Sequence, residues 1–356
     1  MAVDLSGSID CDVHPAAPDM KQLLPYLDEF WRDMMVSRGT DGLDLRSYPP
    51  NSPLSVRPDW RIEGGKAGSS IERLRTDVLD RFHVDHAILN CLYGAPALYN
   101  ADLGAVLSRA ANDWLAKEWL DRDPRLRASI ILPTHNPLFA AEEIERRASD
   151  RRFVQALMFV QEQMPLGRRH YWPIYEAAEK HGLPIGIHAG SLYRNPTTSL
   201  GWPSYVVEEY VGQATAFQHQ LLNLLVEGVF TKFPDLKIVL IESGFTWLPH
   251  FMWRATKTWI ALRTEIPWVD RSPSEIIREN VRLTIQPTDA PPEPGQLARI
   301  CDQLGSDDML LFSTDYPHWH FEGDEVLSEG IPERLHQKII RDNAVATYPR
   351  LKELVV

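Results

Sequence analysis

The chain has few cysteines, no long apolar run and no secretory signal. Its three cysteines, Cys11, Cys91 and Cys301, are too few and too widely spaced for a disulfide framework or a zinc ribbon. We interpret them as buried thiols, which favours a reducing cytoplasm. The first residues lack the basic and apolar regions of a signal peptide, so we expect no export. No apolar run reaches the roughly 18 residues that a membrane span needs, so we expect no membrane contact.

Positive charge is also in short supply. The net charge is −12 at pH 7 over 356 residues, and no basic stripe offsets it locally. Such a surface repels phosphate backbones, so we expect no nucleic-acid partner. A glycine-rich turn after the first apolar segment is missing as well, which argues against a dinucleotide-binding sheet. These absences favour a small-molecule substrate as the partner.

What the chain does contain is a repeated alternation of short apolar segments and helical patterns. The apolar segments are rich in Ile, Val and Leu, as buried parallel strands are. Helical patterns lie between them at 101–120, 137–148, 172–181, 206–230 and 247–263. The predicted strands are 8–13, 84–92, 128–133, 154–160, 183–188, 236–242, 281–285 and 309–314. Eight such units predict an α/β fold, a (β/α)8 TIM barrel in a single domain over 1–356, with an open doubly wound sheet as the alternative.

One segment interrupts this alternation. Residues 41–70, between the first and second predicted strands, are rich in Pro, Gly and Ser. An insertion after the first strand of a barrel emerges on the catalytic face. We predict a lid or a contact arm there, and a solvated surface loop is the alternative.

Polar side chains that can bind metal end four of the predicted strands. Asp12 and His14 are two residues apart on a strand and therefore point to the same side. His188, Glu242 and Asp315 follow later apolar segments. In a barrel the carboxyl ends of all strands meet at one mouth, so we expect these five metal-competent residues to lie together in an active site there. Taken singly, each has a structural alternative, such as a satisfied histidine or a salt bridge.

The segments around these residues resemble the amidohydrolase superfamily, in particular its branch of amidohydrolase-related, metal-dependent barrel hydrolases and decarboxylases. The resemblance covers nearly the whole chain except 41–70. The matching segments are 9–14 (IDCDVH), 182–188 (GLPIGIH), 242–244 (ESG), 313–318 (STDYPH) and 342–344 (DNA). Two positions differ. The family commonly opens with His-x-His, where this chain has Asp12, and it often has His where this chain has Glu242. Both replacements remain ligands, and Asp12 favours a harder ion.

The resemblance implies one divalent ion, with zinc expected before manganese, held by Asp12, His14, His188 and Asp315. Asp315 or Glu242 would then be the catalytic base that takes a proton from a metal-activated water. This predicts a metal-dependent hydrolase acting on a small aromatic or carboxylate-bearing molecule. The first alternative is a non-oxidative decarboxylase of an aromatic acid on the same site. The second is a non-catalytic relative whose metal site has been lost.

Four further residues are predicted to contact the substrate. His318 follows Asp315 closely, Trp247 and Tyr93 are candidates for an aromatic pocket, and Arg168 is a candidate carboxylate clamp. Packing of the aromatic rings and solvation of the arginine are the alternatives. Further candidates for the aromatic pocket are Trp202, Trp268 and Trp319. We also expect a homodimer, because large barrels with a protruding arm often pair.

Overall fold

Eight parallel strands form one sheet whose order follows the chain. A computed structural model describes residues 4–43, 56–95, 98–191, 195–318 and 327–352. The strands are β1 Ser8–Val13, β2 Val84–Leu89, β3 Leu126–Ile131, β4 Phe153–Gln161, β5 Ile185–Ser191, β6 Ile238–Ile241, β7 Val281–Thr284 and β8 Leu310–Leu311. Each strand pairs in parallel with the next, from β1 to β8.

Helices connect the strands and cover the outside of the sheet. They are α1 Met20–Leu23, α2 Glu29–Arg38, α3 Ile71–Leu74, α4 Ala101–Leu115, α5 Pro137–Arg147, α6 Trp172–Lys180, α7 Val206–Val226, α8 Val229–Lys232, α9 Leu248–Leu262, α10 Pro273–Asn280, α11 Pro294–Leu304, α12 Glu333–Gln337, α13 Asn343–Thr347 and α14 Pro349–Lys352. Among the described residues, no helix is both long and apolar enough to cross a membrane.

Hydrogen bonds between β1 and the segment after β8 draw the two sheet edges together. The amide of Cys11 donates to the Phe312 carbonyl at 2.9 Å, and the amide of His14 donates to the Tyr316 carbonyl at 2.7 Å. The amide of Asp315 donates to the Asp12 carbonyl at 3.1 Å. The sheet is therefore a nearly closed barrel, which confirms the predicted (β/α)8 fold.

Two apolar layers hold the barrel. The larger lies between strands and outer helices. The smaller joins side chains of the strands to the C-terminal segment, which comprises residues 343–352 with α13 and α14. Tyr348 and Leu351 belong to the smaller layer. The buried guanidinium of Arg350 donates to the Phe153 carbonyl, at the start of β4, at 2.6 Å. The C-terminal segment thus closes the amino end of the barrel and leaves the carboxyl ends for a site.

All eight predicted strands are present, with ends that differ by a few residues. The predicted helix at 206–230 is divided into α7 and α8 at Gly228, whose φ of 79° interrupts helical geometry. Two helices in the connection between β1 and β2, α1 and α2, were not predicted. They are stabilised by the side-chain caps Asp19 and Asp28 rather than by a long apolar period.

The described part of the insertion docks on the segments that follow β1 and β8; residues 44–55 lie outside the described residues. The amide of Arg57 donates to the Pro317 carbonyl at 3.0 Å, and the backbones of Val56 and His318 form an isolated antiparallel β-bridge. The amide of Ala16 donates to the Gly68 carbonyl at 2.9 Å. The insertion therefore contacts the two segments that carry His14 and His318.

Gly68 allows this close approach, which gives a stability prediction. Its φ is +76°, and a Cβ atom there would lie 2.4 Å from the carbonyl oxygen of His14. Gly64 has a similar φ of +69° and nothing within 4 Å, so it is a matched control. We expect Gly64→Ala to cost about 1–2 kcal/mol from its backbone conformation, and Gly68→Ala to cost about 1–3 kcal/mol more from the overlap. Denaturant unfolding measures both, and equal costs would contradict the tight contact.

Candidate metal centre

Four neighbouring regions of the barrel mouth bring the predicted ligands together. Asp12 lies near the end of β1 and His14 directly follows that strand, while His188 lies in β5. Glu242 directly follows β6, and Asp315 follows β8 by a few residues. Glu242 and Asp315 both have a φ of +57°, a left-handed backbone conformation that residues other than glycine rarely adopt. Such strain persists only where the surroundings enforce it, and it is concentrated at functional sites.

The imidazole of His14 is the centre of the cluster. Its Nε2 atom lies 3.2 Å from Asp12 Oδ1, 3.2 Å from Glu242 Oε1 and 3.1 Å from Asp315 Oδ1. These side chains are buried, except that Glu242 is partly exposed. Three carboxylates therefore converge on one ring nitrogen.

Two more histidines complete the cluster on either side of His14. His188 Nε2 lies 3.7 Å from Asp12 Oδ1 and 3.4 Å from Glu242 Oε1. His318 Nδ1 lies 2.5 Å from Asp315 Oδ1 and 3.2 Å from Glu242 Oε1. Ligand atoms within 4.8 Å of one another form two overlapping groups, Asp12–His14–His188–Glu242 and His14–Glu242–Asp315–His318.

The hydrogen bonds of the Nδ1 atoms of His14 and His188 determine which ring nitrogen can bind a metal. His14 Nδ1 is 2.8 Å from the Asn90 carbonyl, and His188 Nδ1 is 2.6 Å from the Ala189 carbonyl. A carbonyl can only accept, so each Nδ1 carries the hydrogen and donates it. When the ring is neutral, it therefore presents the lone pair of Nε2 to the cluster, as a metal ligand must.

The carboxylates hold positive charge on the histidines. Burial alone lowers the pKa of His188, but Glu242 and Asp12 outweigh it and raise that pKa to about 10. Burial likewise lowers the pKa of His318, yet Asp315 and Glu242 raise it to about 9. The pKa of His14 is also raised well above its ordinary value, because Asp12, Asp315 and Glu242 offset its burial. A cation that enters the cluster therefore competes with the protons that the carboxylates hold on these histidines.

The pKa values of Glu242 and Asp315 are shifted in opposite directions. Burial raises the pKa of Glu242, but His188, His14 and His318 bring it well below its ordinary value. Asp315 keeps a raised pKa, because its burial and the nearby Glu242 charge outweigh the help of His318 and His14. Asp315 is therefore the carboxyl group of the cluster that most readily holds a proton.

Several buried atoms of the cluster lack the partner that their burial demands. Among the described residues, Asp12 Oδ2, His188 Nε2 and Asp315 Oδ2 have no hydrogen-bond partner. His188 Nε2 is within ion-pair distance of Glu242, but the geometry does not suit a hydrogen bond. Buried polar atoms without a hydrogen-bond partner are costly unless something else satisfies them. Imidazole and carboxylate donors around one point fit a divalent cation such as Mn²⁺ or Zn²⁺.

The raised histidine pKa values predict that a binding cation displaces protons. The pKa of about 10 for His188, and the pKa of His14 raised well above its ordinary value, favour protonated rings before the cation binds. Both must lose their protons to become ligands, so binding is expected to release about two protons and to tighten as pH rises. Calorimetry at pH 7 in two buffers of different ionisation enthalpy counts them. His181→Gln, which alters a histidine paired with Glu145, is the control and leaves the count unchanged. Release of no protons would contradict the assignment.

Comparison with known proteins identifies the family. Residues 9–350 match the sequence profile of a family described as amidohydrolase. The chain belongs to the amidohydrolase family. It is 30% identical over 295 residues to gamma-resorcylate decarboxylase of Rhizobium sp. (strain MTP-10005), covering 77% of this chain and 86% of the relative. It is also 30% identical over 269 residues to gamma-resorcylate decarboxylase of Polaromonas sp., covering 69% and 77%.

Solved structures share the fold of this amidohydrolase. An amidohydrolase from Mycobacterium avium subsp. paratuberculosis is 21% identical, with a TM-score of 0.73 over 96% of this chain and 99% of that chain. A dihydroxybenzoic acid decarboxylase from Polaromonas sp., solved with bound manganese and 2-nitroresorcinol, is 24% identical, with a TM-score of 0.69 over 97% of both chains. At these identities the likeness concerns the fold.

Two of the residues predicted to contact substrate lie elsewhere in this amidohydrolase. Arg168 is mostly exposed and pairs with Glu227 at the C-cap of α7, at 3.1 Å. That end of α7 leads to β6, so this ion pair holds the Arg168 side chain away from the ligand cluster. Tyr93 is fully buried in the layer between strands and outer helices. Its ring packs in the core instead of lining an open pocket.

The predicted tryptophans lie in different places. Trp247 stays beside the site, where its indole N–H donates to the carbonyls of Ser243 and Gly244 at 2.9 and 3.1 Å and fixes the turn after Glu242. Trp268 donates its indole N–H to the Val226 carbonyl at the C-terminal end of α7, at 2.8 Å. Trp202 is exposed in the connection between β5 and α7, and Trp319 lies outside the described residues.

Sequence reasoning missed three features of the site. His318 belongs to the ligand cluster itself, although only substrate contact was predicted for it. Phe159 of β4 pairs with His188, and the two ring centroids are 6.4 Å apart. Asn90 directly follows β2 and donates from Nδ2 to Asp12 Oδ1 at 2.9 Å. Its place at the carboxyl end of a strand was the available signal.

Proposed function

We propose that this amidohydrolase is a metal-dependent, non-oxidative decarboxylase of a hydroxylated aromatic acid. The observation that carries the proposal is its 30% identity, over most of both chains, to gamma-resorcylate decarboxylases. The hydrolase expected from the sequence is less well supported than the decarboxylase alternative. A buried group of carboxylates and histidines at a barrel mouth suits either reaction, so it is the relatives that favour decarboxylation.

One divalent cation, manganese before zinc, is the proposed cofactor. The expected preference for zinc gains no support, whereas a related decarboxylase was solved with manganese. The donor set agrees in kind, because Asp12 and Glu242 add hard oxygen ligands to two imidazoles. We propose that Asp12, His14, His188 and Glu242 hold the ion. Glu242 thereby becomes a ligand, and Asp315 is free to act on the substrate.

The proposed mechanism needs an acidic side chain that delivers one proton to the substrate. A bound divalent cation supplies Lewis-acid attraction for the carboxylate and neighbouring hydroxyl of the substrate. Asp315, whose pKa is raised by its burial, delivers a proton to the ring carbon that bears the carboxylate. The bond between that carbon and the carboxylate then breaks, its electron pair restores the aromatic ring, and carbon dioxide leaves.

His318 is proposed to return the proton. Its Nδ1 atom lies 2.5 Å from Asp315 Oδ1, and its side chain is partly exposed, so it links the buried acid to solvent. The reaction consumes one proton for each carbon dioxide released, and this pair is the route by which it re-enters. Phe159 and Trp247 flank the site and are proposed to contact the aromatic ring of the substrate.

A substrate panel tests the proposal. The manganese-loaded protein and the same protein treated with chelator are each offered hydroxylated benzoates, aryl esters, lactones and amides. We expect carbon dioxide from an ortho-hydroxylated benzoate, only with metal present. Hydrolysis of an ester, lactone or amide without carbon dioxide would favour the hydrolase. No metal binding and no turnover would favour the non-catalytic alternative.

The expected homodimer remains a proposal. Apolar side chains are exposed along the connection from β5 and the first turns of α7, namely Leu200, Trp202, Tyr205, Val207 and Val211. An exposed apolar patch of this kind is typical of an interaction surface. Light scattering on the purified protein measures the mass, and a monomer at micromolar concentration would contradict the dimer.

A further inference from the structure

A continuous chain of buried polar side chains crosses the barrel interior and ends on a proposed metal ligand. The Tyr348 hydroxyl is 3.1 Å from Gln155 Oε1, and Gln155 Nε2 is 2.8 Å from Ser129 Oγ. Ser129 Oγ is 2.6 Å from Asn90 Oδ1, and Asn90 Nδ2 is 2.9 Å from Asp12 Oδ1. All five side chains have no exposed surface. We call the four residues Asn90, Ser129, Gln155 and Tyr348 the interior chain.

The chemistry of the interior chain fixes its direction. The carboxylate of Asp12 can only accept, so the amide nitrogen of Asn90 faces it and the amide oxygen faces Ser129. Ser129 therefore donates its hydroxyl hydrogen to Asn90 and accepts from Gln155. Gln155 in turn accepts from the Tyr348 hydroxyl. Every donor points toward Asp12, and hydrogen bonds aligned in this way polarise one another in a buried setting.

Asn90 also contacts His14, a second proposed ligand, through its backbone carbonyl. Its carbonyl accepts from His14 Nδ1 at 2.8 Å, and this contact leaves Nε2 of that ring for the cation. Its side chain also donates to the Cys11 carbonyl at 3.2 Å, next to Asp12 in β1. One residue after β2 thus orients both ligands that β1 provides.

The barrel wall makes room for the interior chain. A Cβ atom at Gly186 in β5 would lie 2.5 Å from Gln155 Nε2, so only glycine fits beside this amide. At the far end, Tyr348 sits in the C-terminal segment that closes the amino end of the barrel. The interior chain therefore spans from that closure to the metal centre.

We propose that the interior chain positions Asp12 and His14 for the cation and thereby makes the C-terminal segment part of the metal centre. Its members are positioning residues that touch neither substrate nor cation. This inference rests on the proposed cation site. It predicts that cation affinity depends on Tyr348, a residue on the opposite side of the barrel interior from the substrate.

The affinity for Mn²⁺ alone, measured by electron paramagnetic resonance of the free ion, tests the interior chain without any substrate. Loss of a residue that orients a ligand typically weakens metal binding by about 10- to 100-fold, which we expect for Asn90→Ala. Tyr348→Phe removes only the distant hydroxyl, and we expect a smaller loss of about 3- to 10-fold. Gly186→Ala keeps all four hydrogen-bonding groups but displaces Gln155, and it is expected to weaken Mn²⁺ binding as well.

Two matched variants control for the loss of a buried hydrogen bond. Asn112→Ala removes a buried amide that donates to the Ile131 carbonyl and to Glu143, outside the ligand cluster. Tyr175→Phe removes a buried hydroxyl that donates to the Leu166 carbonyl at 2.6 Å. Both are expected to destabilise the fold without changing the Mn²⁺ affinity of the folded protein.

The outcomes separate this inference from the proposed function. Native Mn²⁺ affinity in Tyr348→Phe, or an equal loss in Tyr175→Phe, would overturn the interior chain alone. Should Asn90→Ala fail to fold, Tyr348→Phe still decides the matter. Tight Mn²⁺ binding without decarboxylation of any hydroxybenzoate would overturn the proposed function and leave the interior chain standing. A native protein that binds no Mn²⁺ would overturn both.

Discussion

Replacing Asp315 by Asn is expected to lower kcat for decarboxylation by about 100- to 10,000-fold, the contribution of a general acid. Asn has the shape of Asp but no acidic proton to deliver to the ring carbon. Its amide oxygen can still face His14 and His318, so we expect the bound metal to remain. Steady-state carbon dioxide release gives kcat, and elemental analysis gives the metal content of the same sample.

A buried aspartate at the opposite end of the barrel is the control for this variant. Asp123 is buried, pairs with Arg75 and Arg125, and precedes β3 at the amino end. Asp123→Asn is expected to lower stability and to leave kcat of the folded protein near the native value. Near-native turnover in Asp315→Asn, with metal bound, would exclude Asp315 as the acid.

His188→Ala is expected to lose the cation. The side chain is buried, its Nε2 atom has no hydrogen-bond partner among the described residues, and Nδ1 is fixed by the Ala189 carbonyl. Loss of an outer partner of a ligand already weakens binding by about 10- to 100-fold, so loss of the ligand itself should exceed about 100-fold. Equilibrium dialysis with Mn²⁺ measures this, and decarboxylation should fall in parallel.

His86→Ala is the matched histidine control. His86 lies in β2, where its Nδ1 atom is 3.3 Å from the Arg125 carbonyl, near the amino end of the barrel. We expect one equivalent of Mn²⁺ in this variant, as in the native protein. If His188→Ala retained the same metal content as His86→Ala, the ligand assignment would fail.

The cluster of metal-competent residues could be predicted because the fold itself brings these residues together. Asp12, His14, His188 and Glu242 each end or follow an apolar strand, and parallel strands of a barrel have their carboxyl ends at one mouth. Their convergence at one mouth then follows from the parallel arrangement of the strands. The proposed roles of Glu242 and Asp315 did not follow, because they depend on how many histidines each carboxylate faces.

The substrate contacts were harder to predict, because connecting segments have no periodicity. Arg168 follows β4 on a connection that runs down beside α7, and its partner Glu227 comes from the far end of that helix. Trp268 is joined to the Val226 carbonyl in the same region. Neither path is visible in the order of apolar and polar residues, so a position after a strand was not enough to place them.

The interior chain was invisible for a different reason. Asn90, Ser129 and Gln155 belong to three separate βα units, and each is an ordinary polar residue in or after an apolar strand. Their meaning arises only when the barrel closes and places them within hydrogen-bond distance of one another. A single sequence carries no sign of that registry.

The proposed reaction replaces the carboxylate of a hydroxylated aromatic acid by a proton on the same ring carbon and releases carbon dioxide. Its most direct test is turnover of 2,6-dihydroxybenzoate by the manganese-loaded protein in deuterium oxide, with carbon dioxide and the deuterium content of the product measured together. We predict one carbon dioxide per product molecule and one deuterium at the carbon that carried the carboxylate. No carbon dioxide from this or any other ortho-hydroxylated benzoate, with manganese bound and the protein folded, would contradict the account.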